Sequence, residues 1–168
     1  MGSNRWTVAA VTAASTLCLL LGACDPQRAT KLEEGLSTEA DVRREFGEPA
    51  AVFNGPDGSR MFEYPRQPEG QTNYFISIGA DGKMSALRQV LKPSEFARIT
   101  PGQDKAEVRR LLGKPARTAR YDLKPDEEHW EWRWLDAQQA KLFTVTFDRD
   151  GRVLSSASSD DQRELQRN

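Results

Sequence analysis

Residues 42–49 read VRREFGEP, and residues 108–115 read VRRLLGKP. Valine, two arginines, glycine and proline recur in the same order, 66 residues apart. Ahead of the first copy, Thr38-Glu39-Ala40-Asp41 forms a capping box, a hydroxyl followed three residues on by a carboxylate. Acidic residues in a first turn also complement the helix dipole. Val42 and Phe46, four apart, place apolar groups on one helix face. Gly47 permits the left-handed turn that ends a helix, and Pro49 prevents its resumption. The second copy says the same in other letters. Asp104 caps, Glu107 is the carboxylate three later, Val108, Leu111 and Leu112 supply the apolar face, and Gly113 and Pro115 stop the helix. Cap, face and stop agreeing twice predict a duplicated structural unit.

The parallel continues on both sides. A short helical stretch precedes each copy, TKLEE at 30–34 and SEFARI at 94–99. Downstream, RMFEYP (60–65) matches HWEWRWL (129–135) as a strand of alternating apolar residues, and NYFISI (73–78) matches LFTVTF (142–147) as the next. ADGKM (80–84) and RDGRV (149–153) are Asp-Gly turns that each lead into a last strand. The turn glycines, Gly82 and Gly151, stand three residues further apart than the helix copies, which places an insertion in the loop DLKPDEEH (122–129). The expected fold is α+β: two tandem units, each a short helix pair followed by a three- to four-stranded antiparallel sheet. A unit of about 60 residues is marginal alone, so the two are expected to share a core or a sheet. Helices should cover one sheet face and leave the other partly open.

The N-terminus reads differently. Arg5 precedes WTVAAVTAASTLCLLLGAC, whose apolar run from Val8 to Leu21 is short for a bilayer span. A basic start, an apolar centre and small residues at the end describe a secretory signal. Leu21-Gly22-Ala23-Cys24 resembles the lipobox of bacterial lipoproteins, in which the cysteine receives lipid and becomes the first mature residue. Cys18 would be discarded and Cys24 lipidated, so no thiol would remain for a disulfide. The chain divides accordingly: 1–23 signal peptide, 24–30 lipidated tether, 31–92 first unit, 93–157 second unit, 158–168 polar C-terminal tail. The net charge of −1 offers nothing to nucleic acid.

These residues carry a resemblance. The lipobox, the segments STEADVRREFGEP and TPGQDKAEVRRLLGKP, and the ends ISIGADGKM and VTFDRDGRV resemble the SmpA/OmlA domain of the outer-membrane assembly lipoprotein BamE. The second copy fits the family pattern from Thr100 to Pro115. The first departs from it, with Gly35 one residue too far from Val42. BamE has a single such unit; a tandem pair instead resembles the beta-lactamase inhibitory protein, whose concave sheet grips an enzyme. The resemblance implies outer-membrane placement, whereas Asp25 after the lipid-bearing cysteine resembles an inner-membrane retention signal.

Trp130, Trp132 and Trp134 alternate with Glu131 and Arg133, so the three indoles share one sheet face. They form either a partner-binding platform, as tryptophan at interfaces does, or a core under the helices. Phe62 and Tyr64 are the milder equivalent in the first unit. His129, the single histidine, has no cysteine or histidine partner for a metal, and reads as an exposed strand-edge residue beside Glu127 and Glu128. Those acids, with Asp122 and Asp126, read as a solvated acidic loop. Arg43-Arg44 and Arg109-Arg110 read as solvated helix faces, with anionic lipid or an acidic partner as the alternative. No nucleophile–histidine–acid set can be assembled. The sequence thus predicts a non-enzymatic, cofactor-free lipoprotein held to a membrane through Cys24, binding protein partners of the envelope or of β-barrel assembly, with no metal and no nucleic acid. The alternative is an inhibitor or sensor that clasps an enzyme or ligand on its sheet.

Overall fold

The computed structural model describes residues 25–165. The lipobox residues Leu21, Gly22, Ala23 and Cys24 lie outside them. A first helix, α1 (Asp25–Ala29), leads through turns to α2 (Glu39–Phe46) and then to four strands, β1 (Ala51–Asn54), β2 (Arg60–Pro65), β3 (Asn73–Ile78) and β4 (Met84–Gln89). The second half repeats the plan with α3 (Pro93–Phe96), α4 (Lys105–Leu112), β5 (Arg117–Tyr121), β6 (Lys124–Asp136), β7 (Gln139–Phe147) and β8 (Val153–Asp160), followed by α5 (Gln162–Leu165). The result is α+β: two four-stranded antiparallel meanders, ordered β1-β2-β3-β4 and β5-β6-β7-β8. No helix among the described residues is long and apolar enough to cross a membrane.

The duplication is visible bond by bond. Both capping boxes form, Thr38 with Asp41 and Asp104 with Glu107. The stop glycines Gly47 and Gly113 donate to the carbonyls of Arg43 and Arg109. The amides of Ala50 and Ala116 donate to Glu63 and Glu131, and those of Gly35 and Gly102 to Met84 and Val153. Isolated bridges Thr38–Lys83 and Asp104–Arg152 fix each helix start to its sheet, and both third strands carry an irregularity at the same place, Ser77/Ile78 and Thr146/Phe147. Gly35 therefore holds the place of Gly102 despite the extra residue before Val42. The two stop glycines adopt φ 82°, ψ −160° and φ 75°, ψ −171°. That is the extended positive-φ region open essentially to glycine alone, not the left-handed helical cap that the sequence suggests.

Several expectations need correcting. The stretch TKLEE forms turns, and the first helix lies earlier, within the segment read as a tether; it packs Ala29 and, just after it, Leu32 onto the first core. The presumed loop 122–129 is mostly strand, because β6 starts at Lys124 and pairs back to Tyr121 across a tight turn at Asp122-Leu123. The presumed tail from 158 is part of β8 as far as Asp160, and Asp161 is buried.

The layers explain how two small units stabilise each other. On one face of the first sheet, Phe62, Tyr64, Tyr74, Ile76, Ile78 and Met84 pack with Val42 and Phe46 of α2. The opposite face is not open. Phe75 there belongs to the second core, with Val108 and Leu112 of α4, and Phe53 and Met61 pack against the same cluster. The order is α2, first sheet, α4, second sheet, so α4 is covered on two sides. Burying an apolar side chain of this size is worth about 1.5–3 kcal/mol, and Phe75 contributes that to a core outside its own unit. Among the described residues, no helix or sheet packs as a layer over the far face of the second sheet, although Pro68 and Asp161 cover it locally at Arg133. Its residues show the difference: Phe53, Met61 and Phe75 of the first sheet are replaced, in the same registers, by Ala119, His129 and Thr144.

Candidate functional site

The tryptophan stripe is mostly core. Trp132 has no exposed surface and Trp134 has 4 %. Phe62 and Tyr64, at 0 % and 1 %, lie under α2. Two polar ring ends are used internally, Tyr64 Oη donating to Gly47 O at 3.0 Å and Trp132 Nε1 to Gly113 O at 3.0 Å, whereas Trp134 Nε1 is buried without a partner among the described residues. Burial pushes the Tyr64 hydroxyl up to about 12. These four side chains offer nothing to a partner, because filling the layer between helix and sheet requires them. Trp130 is different. It is half-buried, stacked edge-on against Phe147 at 5.0 Å, with the Lys105 ammonium 6.0 Å above its ring.

Helix α4 is locked to the first sheet by polar groups. Glu63 has no exposed side-chain surface; its Oε2 accepts from Arg109 Nη2 at 3.0 Å and its Oε1 from the Lys114 amide. Asn73, equally buried, donates through Nδ2 to Leu112 O at 2.7 Å and Lys114 O at 3.0 Å. Helix C-termini leave carbonyls without intrahelical partners, and here the first unit supplies the partner to the second unit's helix. Further along, the Gln67 amide reads both backbone groups of Arg133, donating to its O at 2.8 Å and accepting from its N at 3.1 Å. Arg133, itself 6 % exposed, donates through Nε to buried Asp161 at 2.6 Å and through Nη1 to Pro68 O at 3.1 Å. Arg109 is thus no solvated helix residue, contrary to the sequence reading. Nor is His129 exposed at an edge: it sits half-buried in β6, Nδ1 3.2 Å from Thr146 Oγ1 and Nε2 3.6 Å from Glu127. Glu127 and Glu128 belong to that strand rather than to a loop.

Where α4 leaves the edge of the first sheet, two clefts adjoin. One, about 390 Å³, lies between Ala51 and Phe53 of β1, Lys105, Ala106 and Arg109 of α4, and Trp130. The other, about 540 Å³, continues over Phe53, Met61 and Ser77 to the β1–β2 turn. Phe53 and Arg110 line both, so together they form one trough with an apolar floor. Its lining includes Arg60, Lys105, Arg109 and Arg110 and, among the described residues, no acid. Three of the cations are neutralised from behind, Arg60 by Glu39, Lys105 by Glu128 and Arg109 by Glu63. Arg110, exposed, makes no ion pair or hydrogen bond with a described residue. Burial pushes the Glu128 carboxyl up, but hydrogen bonds from Trp130, Lys105 and Arg120 outweigh it and hold the group at about 2. It therefore stays ionised and keeps Lys105 in place beside Trp130. Among the described residues, no group of three or more His, Cys, Asp or Glu side chains could hold a metal ion.

Of the residues that the sequence singled out, the structure brings Trp130, Arg109 and Arg110 to this trough. Sequence reasoning missed Glu63, Asn73 and Phe53. A carboxylate and an amide inside two otherwise apolar strands are the available signal, because such groups are buried only where partners satisfy them.

No family model matches the sequence, and no curated protein matches it. Solved structures do. A putative osmotically inducible lipoprotein, OsmE, is 24 % identical over 46 % of this chain and 88 % of its own, with a TM-score of 0.37. The DUF4309 family protein YjgB from Bacillus subtilis subsp. subtilis str. 168 is 21 % identical over 81 % of this chain and 86 % of its own, with a TM-score of 0.33. An extracellular protein containing a SCP domain from Bacillus anthracis str. Ames is 9 % identical over 98 % of this chain and 52 % of its own, with a TM-score of 0.30.

Proposed function

We propose that this chain is a lipid-anchored, periplasm-facing binding and scaffold protein of a bacterial cell envelope, BamE-like in build and without catalytic activity, which supports outer-membrane protein assembly or envelope integrity. The observation that carries the reading is the lock between the units. Glu63 and Asn73 fix α4 between two sheets, so the protein presents one preorganised surface, and preorganisation lowers the entropy cost of binding. The lipobox at Leu21–Cys24 adds confinement to a membrane, which raises effective concentration toward partners in the same membrane. The resemblance favours the outer membrane, and Asp25 keeps the inner membrane as the alternative. Palmitate on Cys24 would be one of the anchoring chains. The clasp reading, an inhibitor or sensor with a tryptophan-lined sheet, loses its surface because Trp132, Trp134, Phe62 and Tyr64 are core.

Growth with an alkyne-bearing palmitate, followed by membrane fractionation and cross-linking, tests the proposal. Wild type should take up the label and Cys24→Ala should not, the protein should fractionate with the outer membrane, and cross-linked products should contain a β-barrel assembly component. An unlabelled product, or cross-links without any such component together with an intact envelope in the deletion strain, would overturn it.

A further inference from the structure

We propose that the trough between β1 and α4 docks an extended acidic segment of a partner protein, which adds as a further strand along the free edge of β1. This rests on the reading of the chain as a binding protein and names the chemistry of what it binds. Three observations converge. First, β1 is the end strand of its sheet, so alternate backbone N–H and C=O groups along Ala51–Asn54 face outward without a strand partner. An added strand satisfies such groups, and its side chains alternate between the two faces. Second, that edge runs beside an apolar floor made by Phe53 and Trp130, and on the helix side the small Ala106 leaves room between Lys105 and Arg109, so alternate side chains of the guest would enter it. Third, the charge is one-sided: among the described residues the lining carries no acid, and Arg110 stands over both halves without a partner. A guest carboxylate completes Arg110 through charge-assisted hydrogen bonds. Strand β8, the longest of the edge strands, lacks these features. It is almost wholly exposed and half serine, and none of its residues lines either cleft. An anionic headgroup could meet Arg110, but it would leave the β1 backbone groups and the apolar floor unused; an extended acidic peptide uses all three.

The four residues of β1 limit the contact to a short segment, about 13 Å of strand, so the affinity should be modest. Fluorescence anisotropy of the full-length protein in detergent micelles tests the proposal, with a labelled peptide as the probe in which the alternate, trough-facing positions carry valine and glutamate in turn. The peptide should bind, and its valine–lysine counterpart should not. Arg110→Glu should weaken binding by roughly tenfold or more, since it replaces an attractive charge with a repulsive one. Ala106→Trp, which fills the floor from an exposed helix position, should abolish binding. N-methylation of alternate peptide amides should abolish it in one phase and spare it in the other, because only one row of amides faces β1. Circular dichroism confirms that both variants are folded, and these surface changes leave the cores intact.

Equal binding of acidic and basic peptides, no binding of either, or an Arg110→Glu variant that binds like wild type would overturn the proposal. So would binding confined to phosphatidylglycerol vesicles and lost in Arg110→Glu, which would assign the trough to a lipid headgroup. The two proposals fail separately. Cross-linking of an assembly component to wild type and to Arg110→Glu alike overturns the trough alone; acidic-peptide binding without any envelope partner overturns the scaffold role alone.

Discussion

Glu63 is a carboxylate without exposed surface in the middle of a strand, and it is tolerated there because Arg109 and the Lys114 amide complete it. Removing one member of such a pair leaves the other stranded, whereas replacing both with apolar groups removes the desolvation problem. Because Arg109 is about one-third exposed, water screens part of the effect. Glu63→Ala is therefore expected to cost about 2–3 kcal/mol, and Glu63→Met combined with Arg109→Met is expected to cost less than Glu63→Ala alone. Urea denaturation checks both; a double variant worse than the single one would show that the pair holds the units together beyond its own charge balance. The stop glycines give a second comparison. Gly47 and Gly113 share nearly the same backbone angles, so alanine at either meets about 1–3 kcal/mol of strain. A Cβ on Gly47 would meet nothing within 4 Å, but on Gly113 it would press on Asn73 Nδ2 at 3.0 Å and Glu63 Oε1 at 3.3 Å. Gly113→Ala should thus lower the urea midpoint clearly more than Gly47→Ala.

At the scale of elements, what could be read from sequence divides along a physical line. Helices α2 and α4 were legible because their signals are local: a cap, a carboxylate three residues on, a face and a glycine stop within a dozen residues. Strands β2, β3, β6 and β7 were legible from alternation. Strand β1 was not, since AVFN is short and its neighbours in sequence are loops; it is a strand because Glu63 and Met61 lie across from Ala51 and Phe53. The early start of β6 was hidden because Lys124-Pro125-Asp126 has poor strand propensity, which pairing with β5 overrides. The trough was hidden for the same reason: Phe53, Arg110 and Trp130 meet only when α4 is laid across a sheet from the other unit. Glu128 ties α4 to β6 through Lys105, and this joint has a pH signature. Its folded value of about 2 lies below the ordinary 4.5. A depressed carboxylate contributes stability that is fully present above 4.5 and is lost as pH falls toward 2. Melting temperature should therefore drop between pH 4.5 and 2, and Glu128→Gln should make that drop shallower while lowering stability at pH 7.

For the molecule as a whole, α4 between the sheets means that parting the units would uncover Phe53, Met61 and Phe75 on one side and open the second core on the other, although the first core would stay whole. The unit boundary in sequence is therefore not a boundary in folding. Among the described residues, the tryptophans all lie in the second unit, so fluorescence reports that unit while far-ultraviolet circular dichroism reports both. The two signals should give one coincident urea transition. Phe75→Ala, a change in the first sheet, should shift the fluorescence midpoint by the equivalent of about 3–5 kcal/mol. Separate transitions would mean that the halves fold independently. The far face of the second sheet carries a last consequence. There Glu131 is already engaged by Arg117 at 2.8 Å, and Thr144, His129 and Ala119 stand where large apolar groups would be required. A third copy appended by simple gene extension would arrive at a wall with no hold for it. Growth of such an array has to begin by rewriting strand side chains, so the length of the series is inscribed in its final sheet and not in the helical phrase that repeats.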